Sequence, residues 1–301
     1  MKIAISGATG FLGSLLTNRL LEDGHSVRAL VRRRDDRIRA GVQIFEWSSA
    51  QGEPPPDSLD EIDAVIHLAG EPVARRWTPE LKRLIRSSRV DSTRHLVNAL
   101  STQTRRPRVL ICASAIGIYG SRGDEVLTET SAPGNDFLAG VVVDWEKSAE
   151  LAEALVIRVV RLRLGVVLGH GGALGKMLPP FRLGVGGRIG SGRQWMSWIH
   201  VEDVIRLIQF ALENDAMAGP VNATAPNPVT NARFTQELAG ALHRPALFPV
   251  PKFALKIMFG EMAGVIIASQ RALPAAAQRA GFDFQFAELK PALDQILVRK
   301  S

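Results

Sequence analysis

Three evenly spaced glycines within the first thirteen residues restrict the fold of this chain more than any other feature. A short apolar stretch, residues 1–6, runs directly into Gly7, Gly10 and Gly13, and leucines recur at helical spacing from Leu12 onward. Glycine is favoured where a strand turns sharply into a helix and where another group must approach the backbone closely. The pattern therefore predicts a β-strand, a glycine-rich turn and an α-helix at the start of the chain.

The remainder of the first half alternates between strand-like and helix-like segments. Strands are predicted at residues 26–31, 42–47, 63–68, 109–114 and 156–162, and helices at residues 79–100 and 145–155. Short apolar strands separated by helices favour a parallel sheet with helices on both faces. We therefore predict an α/β fold with a Rossmann-type, doubly wound parallel sheet.

The sequence changes in character after Gly165. Residues 169–175 and 184–192 are rich in glycine and are predicted to be loops, and helical patterns recur at residues 203–214, 231–242 and 252–262. We predict that residues 1–165 form a dinucleotide-binding Rossmann domain. Residues 166–301 are predicted to form a smaller substrate lobe with C-terminal helices, interleaved with the first domain.

Composition narrows the class of protein. Of the 301 residues, 46% are hydrophobic, which is enough for a sizeable core, and the single cysteine, Cys112, excludes an internal disulfide framework. No apolar run approaches the roughly 18 residues of a membrane span, and no secretory signal precedes the glycines, so a cytoplasmic protein without a membrane partner is expected. No metal site is predicted. The oligomeric state stays open, a homodimer included.

The net charge of +7 could suit a nucleic acid, but the arginines are scattered along the chain. No zinc-ligand set, RNA-binding aromatic motif or long basic helix accompanies them. We therefore expect a small-molecule substrate and no nucleic-acid partner.

The N-terminal pattern and a run of arginines together predict a phosphorylated dinucleotide cofactor. A helix N-terminus behind a glycine turn offers free N–H groups and partial positive charge to a pyrophosphate. The second predicted strand ends in Arg32, Arg33 and Arg34, where an acidic residue would favour NAD. A guanidinium can instead chelate a 2′-phosphate, which predicts NADP; a merely solvated arginine loop is the alternative. Arg89 is a second candidate phosphate contact.

Further segments carry a family resemblance. They are residues 67–71 (HLAGE), 75–77 (RRW), 114–120 (SAIGIYG), 163–169 (RLGVVLG), 178–184 (LPPFRLG), 198–203 (WIHVED) and 271–274 (RALP). Together with the Gly-x-x-Gly-x-x-Gly spacing, they resemble the extended short-chain dehydrogenases/reductases, in the branch called "epimerase family protein". The resemblance runs nearly from end to end. The cofactor-binding residues predicted from the motifs and the resemblance are Gly7, Thr9, Gly10, Phe11, Leu12, Gly13, Arg32, Leu68, Ala69, Gly70, Glu71, Arg89 and Val167.

The chain departs from that family at its catalytic residues. Active members use a serine or threonine with a Tyr-x-x-x-Lys motif, whose tyrosine exchanges a proton with the substrate. Ser114 stands where the family serine falls, and Lys147 is present. However, Val143 stands four residues before Lys147, Val141 occupies the other register, and the chain has one tyrosine, Tyr119, on the loop after the fifth strand. The usual acid/base is missing.

Two substitutes for the missing tyrosine can be named. Tyr119 could reach the cofactor from its loop, and His200 is of the residue type best suited to proton transfer near neutral pH; alternatively, His200 caps the helix that begins near Asp203. Ser114, Tyr119 and His200 are thus the predicted catalytic residues. The leading hypothesis is an NADP(H)-dependent, epimerase-like oxidoreductase acting on a small carbonyl or sugar-like substrate, nucleotide-linked ones included. The alternative is a non-catalytic NADP(H)-binding sensor or scaffold.

Overall fold

The computed structural model describes residues 1–34, 38–246 and 248–297. Its strands are β1 (Lys2–Ser6), β2 (Ser26–Val31), β3 (Gln43–Glu46), β4 (Ala64–His67), β5 (Val109–Ala115), β6 (Val126–Leu127), β7 (Arg158–Leu164), β8 (Val166–Leu168), β9 (Trp195–Met196), β10 (Trp198–His200), β11 (Gly219–Ala223), β12 (Val229–Thr230) and β13 (Arg271–Ala272).

The helices in the described parts of the chain follow the same order. They are α1 (Phe11–Glu22), α2 (Pro79–Ser87), α3 (Val90–Ser101), α4 (Phe137–Glu150), α5 (Gly172–Arg182), α6 (Val201–Glu213), α7 (Asn231–Ala241), α8 (Lys252–Phe259), α9 (Ala263–Ile267), α10 (Ala275–Arg279) and α11 (Leu289–Leu297). Short 3₁₀ turns occupy Ser49–Gln51, Pro56–Ser58, Ile116–Tyr119, Leu151–Leu155 and Gly260–Met262.

A seven-stranded sheet forms the centre of the molecule. Its strand order is β11-β7-β5-β4-β1-β2-β3, and every neighbouring pair is parallel. The middle strands are apolar on both sides because helices cover both faces. One core contains residues of α1 and α6, and the opposite core contains residues of α3 and α4. This arrangement confirms the predicted α/β, doubly wound parallel fold.

Several predicted boundaries were wrong for local reasons. The strand predicted at 156–162 is Arg158–Leu164, because Val156 has a left-handed backbone (φ 63°) and is 92% exposed. The helix predicted at 79–100 is two helices, separated at Ser88 and Arg89. The helix predicted from residue 145 already begins at Phe137, where the Asp136 side chain accepts a hydrogen bond from the Ala139 N–H.

The second half of the chain has a core of its own and also completes the central sheet. Buried side chains of α5, α7 and α11 pack together in this smaller core. Part of the segment predicted to be a loop at 169–175 already belongs to α5, which begins at Gly172. β11 pairs with β7 at the edge of the central sheet, so residues beyond 165 contribute to both lobes. In the described ranges, none of the helices combines the length and the apolar character needed to cross a bilayer.

Candidate functional site

The glycine turn between β1 and α1 leaves no room for side chains at two of its three glycines. A Cβ on Gly7 would lie 2.8 Å from the carbonyl carbon of Leu68, and the φ of Gly7 is +77°. A Cβ on Gly13 would overlap the carbonyl oxygen of Gly7. Among the described residues, the close atom around Gly10 is that same oxygen, 3.2 Å from an added Cβ. Gly7 and Gly13 therefore shape the turn, whereas Gly10 keeps its outer surface open.

The N-terminus of α1 is free to receive an anion. Its N-cap residue, Gly10, provides no capping side chain, and the first turn contains no acidic residue. Unpaired N–H groups and the helix dipole attract a negative group at such an end. The cradle beneath this helix end fits the pyrophosphate of a dinucleotide, because Gly10 leaves open a space that an added Cβ would occupy.

The segment that follows β4 closes the other side of the cradle. Leu68 and Ala69 contact Gly7, and a Cβ on Gly70 would lie 3.2 Å from the guanidinium carbon of Arg89. That guanidinium stacks over Trp145 at 5.3 Å and donates to the backbone oxygen of Ile85. Burial lowers the pKa of Arg89 to about 10, against the opposing effect of Glu71. The structure thus brings Arg89 to the cradle although it is distant in sequence.

Arg32 lies beyond the cradle, at the end of β2. Its side chain is 80% exposed, and its Nη1 is 3.6 Å from Oε2 of Glu71, which also pairs with Arg75. A cavity of about 170 Å³ lies against the glycine turn and α1. It is lined by Ala8, Thr9, Ser14, Thr17, Asn18, Ile38 and Arg39. Arg39 was missed by the sequence analysis, since nothing in the sequence separates it from the neighbouring arginines.

A second cavity of about 710 Å³ opens at the carboxyl ends of β5 and β7. This cleft is bounded by Phe11 at the start of α1, by the first turn of α4 and by the α9 segment. In open α/β sheets, ligands bind outside the carboxyl ends of the strands. The cleft is therefore the natural place for a ligand next to a dinucleotide held in the cradle.

Comparisons with known proteins agree with this geometry. The sequence profile of the NAD dependent epimerase/dehydratase family matches residues 3–223. The chain belongs to this family. Residues 250–296 match a second profile, a domain of unknown function (DUF1731). The match confirms the predicted resemblance to the epimerase-family branch of the extended short-chain dehydrogenases/reductases.

Relatives resemble the chain over its whole length. Epimerase family protein YfhF of Bacillus subtilis (strain 168) is 43% identical over 298 residues, covering 99% of this chain and 98% of that protein. The crystal structure of human epimerase family protein SDR39U1 (isoform 2) with NADPH has a TM-score of 0.89 and 33% identity, and 99% of each chain is covered. A nucleoside-diphosphate sugar epimerase from Corynebacterium glutamicum has a TM-score of 0.80 and 35% identity, covering 99% of this chain and 58% of that one.

The cleft of this epimerase-family protein presents apolar atoms where the usual serine and tyrosine would act. Ala115 lines the cleft, whereas Ser114 is 2% exposed and its hydroxyl donates to Glu146 at 2.5 Å. Of α4, the residues Phe137 and Leu138 reach the cleft. Both side chains lack a group that could exchange a proton.

Neither of the two positions considered for the missing tyrosine, Val141 and Val143, lines the cleft. Val141 packs in a cluster with Leu81 and Ile85 of α2, and Val143 packs against the cluster that contains Tyr119. Lys147 is exposed and does not line the cleft. The first turn of α4, one to two turns earlier than the sequence analysis assumed, is the part that faces the ligand space.

Tyr119 lies in the interior. Its hydroxyl donates to Oδ1 of Asn222 at 2.7 Å and accepts from Nη1 of Arg163 at 3.0 Å. The side chain is fully buried, and burial raises the pKa of Tyr119 above its ordinary value, against the opposing effect of Arg163. Its catalytic role stays a prediction, and the hydroxyl already has two protein partners away from the cleft lining.

A buried ion pair connects these polar groups. Arg163 binds Glu146 through two parallel contacts of 2.8 Å, and Ser114 donates to the same carboxylate. Burial by itself would lower the pKa of Arg163. The hydrogen bonds to Glu146 outweigh that effect, so the pKa of Arg163 lies above its ordinary value. A bidentate pair of this kind fixes the relative position of β7 and α4. Ser114 and Tyr119 are therefore joined to one internal network.

His200 caps a helix. Its Nδ1 accepts from the N–H of Glu202, its Nε2 lies 2.9 Å from Oε1 of Gln295, and its ring stacks on Phe286 with centroids 3.9 Å apart. Burial lowers the pKa of His200, against the opposing effect of its hydrogen bond to Gln295. It lines a separate depression on the far side of Phe11, not the cleft. The geometry matches the capping alternative, and a catalytic role for His200 stays a prediction.

Phe11 separates the cleft from that depression. Its ring also accounts for glycines in the glycine-rich segment 169–175. A Cβ on Gly169, Gly171 or Gly172 would come within 2.6, 2.7 and 3.0 Å, respectively, of its ring. Val167, predicted to contact the cofactor, lines the cleft beside this ring. The glycines after β8 thus make space for a side chain of α1.

Replacing Tyr119 with phenylalanine is expected to destabilise the fold by about 1–3 kcal/mol, because it leaves Asn222 and Arg163 with unmet hydrogen-bonding capacity in the interior. NADPH affinity should stay unchanged. Urea denaturation and calorimetric titration with NADPH would measure the two effects separately. An unchanged stability combined with loss of turnover on an active substrate would instead assign the hydroxyl to catalysis.

Proposed function

We propose that the protein binds NADP(H) across the carboxyl edge of its sheet and holds a small organic ligand beside it. The observation that carries the proposal is the glycine cradle beneath an uncapped helix N-terminus. The N–H groups at the start of α1 would hold the pyrophosphate. Leu68, Ala69 and Gly70 would enclose the middle of the dinucleotide, and Val167 and Phe11 would border its nicotinamide end. If the protein catalyses a reaction, bound NADPH would be the source of a hydride for a ligand in the cleft.

NADP(H) is preferred over NAD(H) because of the charges near the end of β2. Arg32 is exposed, and within the described ranges its ion pair is a long one of 3.6 Å to Glu71, so we expect its guanidinium to bind a 2′-phosphate. Arg39 and Thr9 line the small cavity against the glycine turn, and the buried hydroxyl of Thr17 in the same cavity has no hydrogen-bond partner among the residues that the structure describes. The human relative determined with NADPH supports the same preference.

Replacing Arg32 with alanine tests this preference. The unmodified protein is expected to bind NADPH at least about tenfold more tightly than NADH, since a charge-assisted hydrogen bond contributes about 1.5–3 kcal/mol. The Arg32→Ala variant should bring the ratio close to one, while Arg106→Ala, on the loop before β5, should leave it unchanged. Calorimetric titration with both dinucleotides measures the ratio. Equal affinities in the unmodified protein would contradict the proposal.

We infer further that the protein acts without the acid/base chemistry usual in its superfamily. Ala115 and Leu138 line the cleft, and its described lining contains no tyrosine or lysine; its one serine, Ser121, lies on the loop after β5 and not on β5 itself, where Ser114 was expected to act. This favours a protein that binds NADP(H) and a ligand together, as a sensor or scaffold would. An NADP(H)-dependent oxidoreductase acting on a small carbonyl compound is the second candidate, favoured by the 710 Å³ of space beside Val167.

Turnover distinguishes these two functions. On carbonyl compounds that ordinary short-chain reductases accept, we expect tight NADPH binding with little or no oxidation, since the loss of general acid catalysis costs about 10²–10⁴-fold in rate. The absorbance of NADPH across a panel of aldehydes, ketones and sugars measures this directly. Rapid, ligand-dependent oxidation would establish the oxidoreductase, and Tyr119→Phe and His200→Gln would then identify its proton donor.

A further inference from the structure

The cleft beside the proposed nicotinamide position is lined mainly by apolar side chains. Val73, Trp77, Phe137, Leu138 and Val265 contribute to its wall. The rings of Trp77 and Phe137 meet edge to face with centroids 5.2 Å apart. Aromatic and branched aliphatic walls stabilise a ligand by removing its apolar surface from water.

The polar side chains of the cleft each make at least one hydrogen bond or ion pair within the protein. The Gln270 amide donates to the backbone oxygens of Ile116 and Gly120, each at 3.0 Å. The Ser121 hydroxyl accepts from the N–H of Ser269, and Asp136 caps α4. A ligand with many hydroxyl groups would therefore find few free partners here.

The charges at the cleft disfavour an anionic ligand. Its described lining contains two carboxylates, Asp136 and Glu261, and no lysine or arginine. The nearby Lys82 is paired with Glu261, and its ammonium lies 4.9 Å from the centre of the Phe137 ring. Sites for diphosphates present arginines, lysines or free helix N-termini. The α1 N-terminus is already assigned to the dinucleotide, and the uncapped N-terminus of α5 borders the cleft at Gly172 and Ala173 without an arginine or lysine beside it in the described lining.

We propose that the second ligand of this cleft is an uncharged, largely apolar carbonyl compound, such as an aryl or alkyl ketone, rather than a nucleoside diphosphate sugar. The proposal rests on the proposed binding of NADP(H), which places this ligand beside the nicotinamide. It narrows the substrate class expected from the sequence, which included sugar-like and nucleotide-linked compounds. The name of the Corynebacterium glutamicum relative makes a nucleotide sugar the competing ligand.

Calorimetric titration of the protein saturated with NADP⁺ tests the proposal without turnover. The two probes are 2-acetonaphthone, an uncharged aryl ketone, and UDP-glucose. The ketone is expected to bind at least about tenfold more tightly than UDP-glucose, because placing a diphosphate against two carboxylates and apolar walls is costly. Equal or tighter binding of UDP-glucose, or no detectable binding of the ketone, would overturn the proposal.

Introducing a charged side chain at the rim of the cleft tests whether the ketone binds in this cleft. Val265 is 38% exposed, so Val265→Arg can be accommodated without burying the new charge while ligand is absent. The ketone should bind Val265→Arg at least about tenfold more weakly, since the ligand would then desolvate the guanidinium. Leu151→Arg, an exposed position at the end of α4, is the matched control and should bind as the unmodified protein does. Unchanged ketone affinity in Val265→Arg would overturn the assignment of this cleft.

Binding of NADP⁺ alone, measured first in all three proteins, separates this proposal from the one on which it rests. Absence of NADP⁺ binding in the unmodified protein would refute the proposed function. Normal NADP⁺ binding together with preferential binding of UDP-glucose would refute only the assignment of an apolar ligand.

Discussion

Gly13→Val is expected to prevent the N-terminal half from folding stably. Gly10→Val, by contrast, should abolish NADP(H) binding and leave the fold intact. A Cβ on Gly13 would overlap the Gly7 carbonyl group, and neither backbone can yield without separating α1 from β1. The cost should be at least about 3 kcal/mol. Gly10 lies in extended backbone (φ −76°) with open space outside, so its side chain would project where the pyrophosphate must lie.

Thermal unfolding and calorimetric titration with NADPH measure the two effects. Gly10→Val should weaken NADPH binding by about a hundredfold or more, since a steric overlap of about 3 kcal/mol acts on the complex alone. Gly140→Val is the matched control, because Gly140 lies in α4 with no atom within 4 Å of an added Cβ. Unchanged NADPH affinity in a folded Gly10→Val protein would refute the assignment of this turn to the dinucleotide.

Removing the carboxylate of Glu146 is expected to be the most damaging change in the internal network that joins Ser114 and Tyr119. Glu146→Ala leaves the Arg163 guanidinium, whose side chain is 8% exposed, without its counter-ion, and leaves Ser114 without its acceptor. Breaking one partner of a buried pair costs about 3–5 kcal/mol. Urea denaturation, followed by circular dichroism, measures the loss.

Two further variants distinguish the cost of leaving a buried charge unpaired from the cost of losing an ion pair in general. Asp294→Ala removes the exposed partner of Lys290 and should cost less than about 1 kcal/mol. The double variant Glu146→Leu with Arg163→Met removes both buried charges and should be more stable than Glu146→Ala alone. If the double variant is the less stable of the two, packing and not charge is responsible for the effect of Glu146.

The sheet was predictable because its central strands are continuous apolar runs ending in glycine or polar residues. β11 was not, since its sequence, Gly-Pro-Val-Asn-Ala, contains no such run and its place is set by pairing with β7. The cradle was also predictable, because glycine spacing reflects local backbone geometry. Which of Ser114 and Ala115 faces the cleft depends on the pleat of β5 and on the partner Glu146, 32 residues away, which sequence alone does not disclose.

The same limit applies to α4. Periodicity identifies a helix near Trp145, but the part of it that reaches the ligand depends on how α2 packs against Val141. Likewise, the basic run Arg32–Arg34 indicated a phosphate, while Arg39 could be singled out only once the chain had folded back against α1.

The packing of the Phe11 ring against Gly169, Gly171 and Gly172 has a consequence for protein engineering. A side chain at Gly169 or Gly171 would meet one aromatic ring about 160 positions earlier in the chain, so substitutions at the two places are not independent. Alanine at Gly171, where the close atoms all belong to Phe11, should be tolerated better after Phe11 has been shortened, and a library that varies either place alone would discard combinations that work. Mutational tolerance at Gly171, in the second half of the chain, therefore depends on a residue of the first helix.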